Sequence, residues 1–199
     1  MKIISLIQII FLSLLTLGCE AAVIDQEGKS IRDDSPAIQN IEAAKKAITV
    51  KDLNVKGVIP YIDMETGKVT YNKNELTGHE FSIEVDFSVF QVFVKLGEDY
   101  SNGMQVGALN SGIKDFHAVE VALIHGYQQD SENNGLVIGN KFYDGGNGWT
   151  GFHMTNNVYL IKTRSGKYAK LQFLKAKQGN VDLKFYLQQD GSTNLKTEE

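Results

Sequence analysis

The chain has little to fasten it except its own packing. Its 199 residues include one cysteine, Cys19, so no disulfide can form within the chain. It has two prolines, Pro36 and Pro60, against nineteen glycines, a balance that suits a β-rich fold with many turns. After Leu17 no run is apolar enough to cross a bilayer. Neither sign of charge dominates. The formal charge is −4, or about −5 once Lys2 is removed, and Lys45-Lys46 is the nearest thing to a basic stripe. That argues against nucleic acid as a partner. The chain also lacks His-Glu-x-x-His, Gly-x-Ser-x-Gly, a phosphate-cradling P-loop and Cys-x-x-Cys. Glu84 and Asp86 share one face of a strand pattern, which reads as its wet side, not as a pair of acids across a cleft. No enzyme is expected.

The N-terminus carries a positive Lys2 followed by Ile3 to Leu17, mostly Ile, Leu and Phe. This is the layout of a cleaved signal, and it ends in Leu15-Thr16-Leu17-Gly18-Cys19. A small residue before a lone cysteine predicts lipidation at Cys19, which would anchor the protein to a membrane without spanning it. The expected organisation is a lipoprotein signal peptide over 1–18, a lipidated Cys19 with a polar tether over 19–35, and a β domain over 36–199. Ile38, Ile41, Ala44 and Ile48 follow Ser35-Pro36 at helical spacing, so a short helix is predicted over 37–48.

The rest is strand-like. Val55 to Asp63 and Lys68 to Asn72 flank Met64-Glu65-Thr66-Gly67, a hairpin turn. Phe81, Ile83, Val85, Phe87 and Val89 alternate with polar residues before the phase shifts to Phe90, Val92 and Val94, which predicts a bulge near Val89-Phe90 or burial of both faces. His117 to His125 reads as a strand with both histidines on one face. Gly145, Gly146, Gly148 and Gly151 mark a loop around Trp149, the only tryptophan. Most informative is the end of the chain. Val158 to Ile161, Tyr168 to Leu174 and Asp182 to Gln188 each have period-two patterning, separated by Arg164-Ser165-Gly166-Lys167 and Gln178-Gly179-Asn180. They predict an antiparallel meander with one wet face, within an all-β, sandwich-like single domain.

The series Val158–Thr163, Gly166–Leu174 and Leu183–Leu195, together with the N-terminal signal and the Tyr61–Gly67 hairpin, resembles the HmuY-like family of bacterial haem-binding lipoproteins. The resemblance implies an antiparallel β fold and a haem-binding envelope lipoprotein, anchored to the outer membrane on its periplasmic or cell-surface face. It also implies an iron acquisition role, with haem (iron protoporphyrin IX) as the ligand and an outer-membrane haem transporter as the partner. A haem shared between copies would make a haem-linked oligomer. Axial donors are His, Met, Tyr or Cys. In the family, ligands come from two separated segments, the second just before the Val158 strand. Here that segment holds His153 and Met154, which point to opposite faces if extended. His125, His117 and Met104 are candidates for the first. The preferred metal ligands are His125 with Met154, then His125 with His153. Tyr127, Tyr143, Trp149 and Phe152 are the expected pocket aromatics, with Trp149 on a lid. The other class keeps the fold and changes the ligand: a surface lipoprotein for a different apolar compound, a glycan or a protein partner.

Overall fold

A computed structural model of the chain describes residues 46–133 and 135–198. The chain divides into two units, residues 1–37 and 38–199, and the second holds every described residue. The expected signal, Cys19, the tether and most of the expected helix lie outside the described residues. The last residue of that helix instead opens a strand. Ile48 starts β1 (Ile48–Asn54), where Ile48 and Val50 pack on the core and Ile48 pairs with Phe185.

Ten more strands follow: β2 (Tyr61–Asp63), β3 (Lys68–Thr70), β4 (Phe81–Asp86), β5 (Gln91–Leu96), β6 (Gly107–Asn110), β7 (Tyr143–Asn147), β8 (Gly151–Met154), β9 (Val158–Lys162), β10 (Tyr168–Lys177) and β11 (Asn180–Leu187). Among the described residues the only helical piece is a 3-10 turn at Lys73–Glu75, and no helix is long and apolar enough to cross a membrane. A five-stranded sheet runs β1-β11-β10-β9-β6, a four-stranded sheet runs β3-β2-β4-β5, and β7-β8 is a separate hairpin. The paired strands are all antiparallel. The main core draws Ile62, Phe81 and Ile83 from the four-stranded sheet and Leu171, Phe173 and Phe185 from the five-stranded sheet. That is sandwich packing, with inward side chains set by the period-two pattern. The β2–β3 hairpin turn forms where expected, but its first strand begins at Tyr61 and not at Val55, because residues 55–60 turn through a left-handed Gly57 (φ +71°) before Pro60. Asp63 Oδ1 accepts from the N–H groups of Glu65 and Thr66 at 3.0 and 3.1 Å, and Gly67 takes φ +70°.

Three expectations need correction. The phase shift after Val89 is a hairpin turn between β4 and β5, not a bulge: Asp86 pairs with Gln91, and Phe90 supplies a φ of +53°. The reversal itself shifts the alternation by placing Phe87 to Phe90 in a turn. Residues 117–125 form no strand. They run irregularly, tied to the C-terminal tail where Ala122 N–H donates to Thr193 O at 2.8 Å and Leu195 N–H to Glu120 O at 2.7 Å. Finally, the second face of the meander is not wet. Phe116, Val119, Ala122 and Leu195 cover Val158, Leu160 and Tyr186 there, forming a second buried cluster.

Lys170 and Gln172 lie under that cover because their head groups find carbonyls. Lys170 Nζ donates to Phe116 O, Val119 O and Thr197 Oγ1 at 2.8, 2.9 and 3.1 Å. Gln172 Nε2 donates to Lys114 O and Asn156 O, each at 2.7 Å. A buried polar side chain is tolerable when it is bonded in this way.

Candidate functional site

Two concavities stand out, and they divide the residues expected to form one slot. The first opens beside the start of β6 and the end of β9, where Gly107 pairs with Lys162. It is a cavity of about 410 Å³ whose lining includes Met104, Ile124, His125, Tyr127 and Lys162. Met104 comes from the loop between β5 and β6, held where Asn102 Oδ1 accepts from Met104 N–H at 2.8 Å. His125 and Tyr127 come from the irregular segment after β6, whose Gln128 exchanges backbone hydrogen bonds with Ala108 at 2.8 and 2.9 Å. Gly107 permits the close approach, since a Cβ there would lie 2.9 Å from the Tyr127 Cβ. The Tyr127 ring meets Tyr168 at 5.9 Å. Its hydroxyl is buried without a hydrogen-bond partner among the described residues, and burial raises its pKa above the ordinary value.

Thr163 and Gly166 complete this wall, and the turn that carries them is fixed by a buried charge cluster. Arg164 donates to Glu80 Oε1 at 3.0 Å and to Asp63 Oδ2 at 3.2 Å, and Met64 N–H donates to Glu80 Oε2 at 2.6 Å. Burial pushes the Glu80 carboxyl up to about 8 against the pull of Arg164. Burial works against the Arg164 charge, but Glu80 and Asp63 outweigh it and hold its pKa above the ordinary value. Next to this cluster, His79 lies 2.6 Å from the Tyr100 hydroxyl, and its pKa is lowered to about 4, first by burial and then by Lys73 and Arg164.

The second concavity is an apolar cleft of about 220 Å³, where the β4–β5, β7–β8 and β10–β11 turns meet the residues just after β1. Phe87, Phe90, Trp149 and Phe152 supply its rings, and Lys56 and Lys177 are its charged lining. The β7–β8 turn and the residues after β1 are both tied to the β10–β11 turn. Gln178 N–H donates to Gly148 O at 2.6 Å, and Val55 N–H donates to Gly179 O at 2.8 Å. The loop expected to be a lid is the β7–β8 hairpin. Asn147 Oδ1 closes its turn by accepting from the N–H groups of Trp149 and Thr150, both at 2.9 Å. Phe152 stacks on Tyr143 with ring centroids 4.2 Å apart, and Val92 N–H donates to the Tyr143 hydroxyl at 3.3 Å.

Of the expected axial donors, His125 and Met104 share the first cavity. His125 is exposed and makes no hydrogen bond among the described residues, and Met104 is 53% exposed. Met154 is elsewhere: it ends β8, pairs with Tyr143 and packs on the main core, and it does not line the cavity of His125. His153 is exposed on the opposite face of β8, as the alternation predicts. Both ring nitrogens of His117 are engaged, Nε2 at 2.9 Å from Lys184 Nζ and Nδ1 at 3.1 Å from Thr197 Oγ1. The expected aromatics divide as well. Tyr127 lines the first cavity, Trp149 and Phe152 the apolar cleft, and Tyr143 an adjoining hollow of mixed polarity that Phe152 also borders. Sequence reasoning missed Phe87 and Phe90 as cleft residues. Their signal was the broken alternation at Val89-Phe90, which marks a turn tip.

The family model described as HmuY protein matches residues 58–189. Among solved structures, the apo HmuY analog of Tannerella forsythia is 12% identical, with 74% of this chain and 99% of that chain covered at a TM-score of 0.50. A candidate lipoprotein of Bacteroides fragilis is 14% identical over 73% of this chain and 92% of its own, with a TM-score of 0.49. A candidate HmuY-like heme binding protein of Bacteroides vulgatus is 14% identical over 70% and 89%, with a TM-score of 0.47. No curated protein matches the chain.

Proposed function

Because the chain belongs to the HmuY family, we propose that it is a haem-binding lipoprotein of the bacterial envelope that captures haem and passes it to an outer-membrane uptake system. The observation that carries this reading is the meeting of His125 and Met104 on one open cavity, beside the Tyr127 ring and the Lys162 cation. An imidazole nitrogen and a thioether sulfur are both iron donors, and His/Met ligation gives a higher potential than two histidines. The donor set fits the ligand in other respects. Neither side chain has a competing hydrogen bond among the described residues, the Tyr127 and Ile124 surfaces suit a porphyrin face, and Lys162 suits a propionate. The apolar h-region and Cys19 support lipid anchoring in the outer membrane. The role is one of binding and transfer, without catalysis.

A haem titration of the purified protein, followed by absorbance in both oxidation states, tests the reading. The expected result is a saturable red-shifted Soret band with a low-spin reduced spectrum. His125→Ala and Met104→Ala should each convert that spectrum to high spin and weaken binding by at least the roughly tenfold that loss of a mere outer-shell partner costs a metal site. Met154→Ala should leave it unchanged. A low-spin spectrum that survives His125→Ala and is lost in Met154→Ala would transfer the assignment to the β8 segment. No saturable spectral change would overturn haem binding.

A further inference from the structure

The apolar cleft between the three turns holds no histidine or methionine, and so none of the donors proposed above. It is nevertheless built from residues that are costly to place there. Phe87, Phe90 and Trp149 are 51%, 61% and 75% exposed on neighbouring turn tips. Isolated exposed hydrophobics are ordinary, but three large rings converging on one concavity are not. Phe90 also takes its left-handed φ of +53° at a turn position where glycine or asparagine would serve without strain. A bulky side chain kept at such a position points to use of the ring. Backbone hydrogen bonds join the β7–β8 turn, the β10–β11 turn and the residues after β1, so that wall of the cleft is set in advance of any occupant.

We propose that this cleft is a second ligand site, for a small amphiphilic carboxylate whose apolar body lies among the rings and whose carboxylate meets Lys56 and Lys177. The charge of the occupant follows from the lining. Lys56 and Lys177 are the charged lining residues, no carboxylate joins them, and neither ammonium has an ion-pair partner among the described residues. Its size follows from the volume. A cavity of about 220 Å³ lies above the roughly 150 Å³ that holds a benzene and below the roughly 300 Å³ at which drug-sized pockets begin. A medium-chain fatty acid or a one- or two-ring aromatic acid meets both conditions. The site is separate from the His125 cavity and does not depend on haem binding.

Trp149 is the only tryptophan in the chain and lines the cleft, so intrinsic fluorescence reads the site directly. The experiment titrates the purified protein with octanoate, octanol and octyltrimethylammonium, each below its aggregation limit. Octanoate should give a saturable blue shift. Octanol should bind about two- to fivefold more weakly, as expected for the loss of solvent-exposed charge pairs, and the cation should give no saturable change. Lys56→Ala/Lys177→Ala, at two exposed positions, should bring octanoate to the octanol level while leaving octanol unchanged. Phe90→Ala should weaken octanoate and octanol alike, and His125→Ala should affect neither. Equal binding of all three amphiphiles, or no saturable shift with octanoate, would overturn the proposal. Loss of the octanoate response in His125→Ala would overturn the separateness of the site.

Discussion

Lys170 sits where alternation along β10 assigns a residue to water, yet it is wholly buried. Its ammonium bonds two backbone carbonyls and the Thr197 hydroxyl, and it lies 4.4 Å from the centre of the Phe116 ring. Lys170→Met keeps most of the stem volume and removes every donor. Two buried carbonyls then lose their partner, and the expected loss is about 1–3 kcal/mol in urea unfolding. An unchanged midpoint would mean that removing the buried charge offsets the lost bonds. No local pattern foretells this burial, because the cover comes from residues 116–122 and 193–197, about fifty positions away for the first and more than twenty for the second. His117 was similarly opaque: its two nitrogen partners, Lys184 and Thr197, come from β11 and the tail.

At the scale of elements, strands with clean alternation and glycine-bounded turns were legible. The three C-terminal strands lie within a few residues of where period-two patterning puts them, and the turn of the Tyr61–Gly67 hairpin is in place, although its first strand begins at Tyr61 and not at Val55. Legibility failed where a turn lacks glycine. Phe87 to Phe90 reads as continued strand because its residues have high β propensity, while the reversal rests on a left-handed Phe90. Relief of that strain is worth about 1–2 kcal/mol, so Phe90→Gly should leave thermal stability unchanged or slightly raised although it removes a large side chain. A melting temperature several degrees lower would show instead that the ring braces the hairpin. The candidate site was legible in its residue types and not in their grouping. His125, Met104, Trp149 and Phe152 were all identifiable, but His125 and Met104 meet across a β6–β9 edge while the two rings join a different set of turns.

For the molecule as a whole, buried ionisable groups shape its response to pH. Glu80 has its pKa raised to about 8, so the folded protein holds a proton there that the unfolded chain releases above its ordinary value near 4.5. Its contribution to stability is full below that value and is lost as pH rises to about 8. His79, lowered to about 4, works in the opposite sense, adding stability as pH climbs from about 4 to 6.5, so the two largely cancel below 6.5. Lys170 is lowered to about 8, first by burial and then by Lys184; the unfolded chain keeps that proton up to about 10.5, so stability is regained between 8 and 10.5. The expected profile falls from pH 6.5 to a shallow minimum near 8 and then rises, each limb limited to about 1.4 kcal/mol per pH unit. Urea midpoints across that range check it. Glu80→Gln should flatten the first limb and Lys170→Met the second. A flat wild-type profile from 6.5 to 8 would mean that Arg164 keeps Glu80 ionised throughout.

The order of strands in the larger sheet bears on how the chain is made. β1 pairs with β11, so the first described strand waits for the last before it has a neighbour. Pairing so distant in sequence carries a large loop-closure entropy and belongs to the slow end of folding. During synthesis, β1 therefore stays unpaired until residues 180–187 have left the ribosome. A topology closed by the last described strand keeps the first one a free edge, open to any other strand it meets, until residues 180–187 arrive.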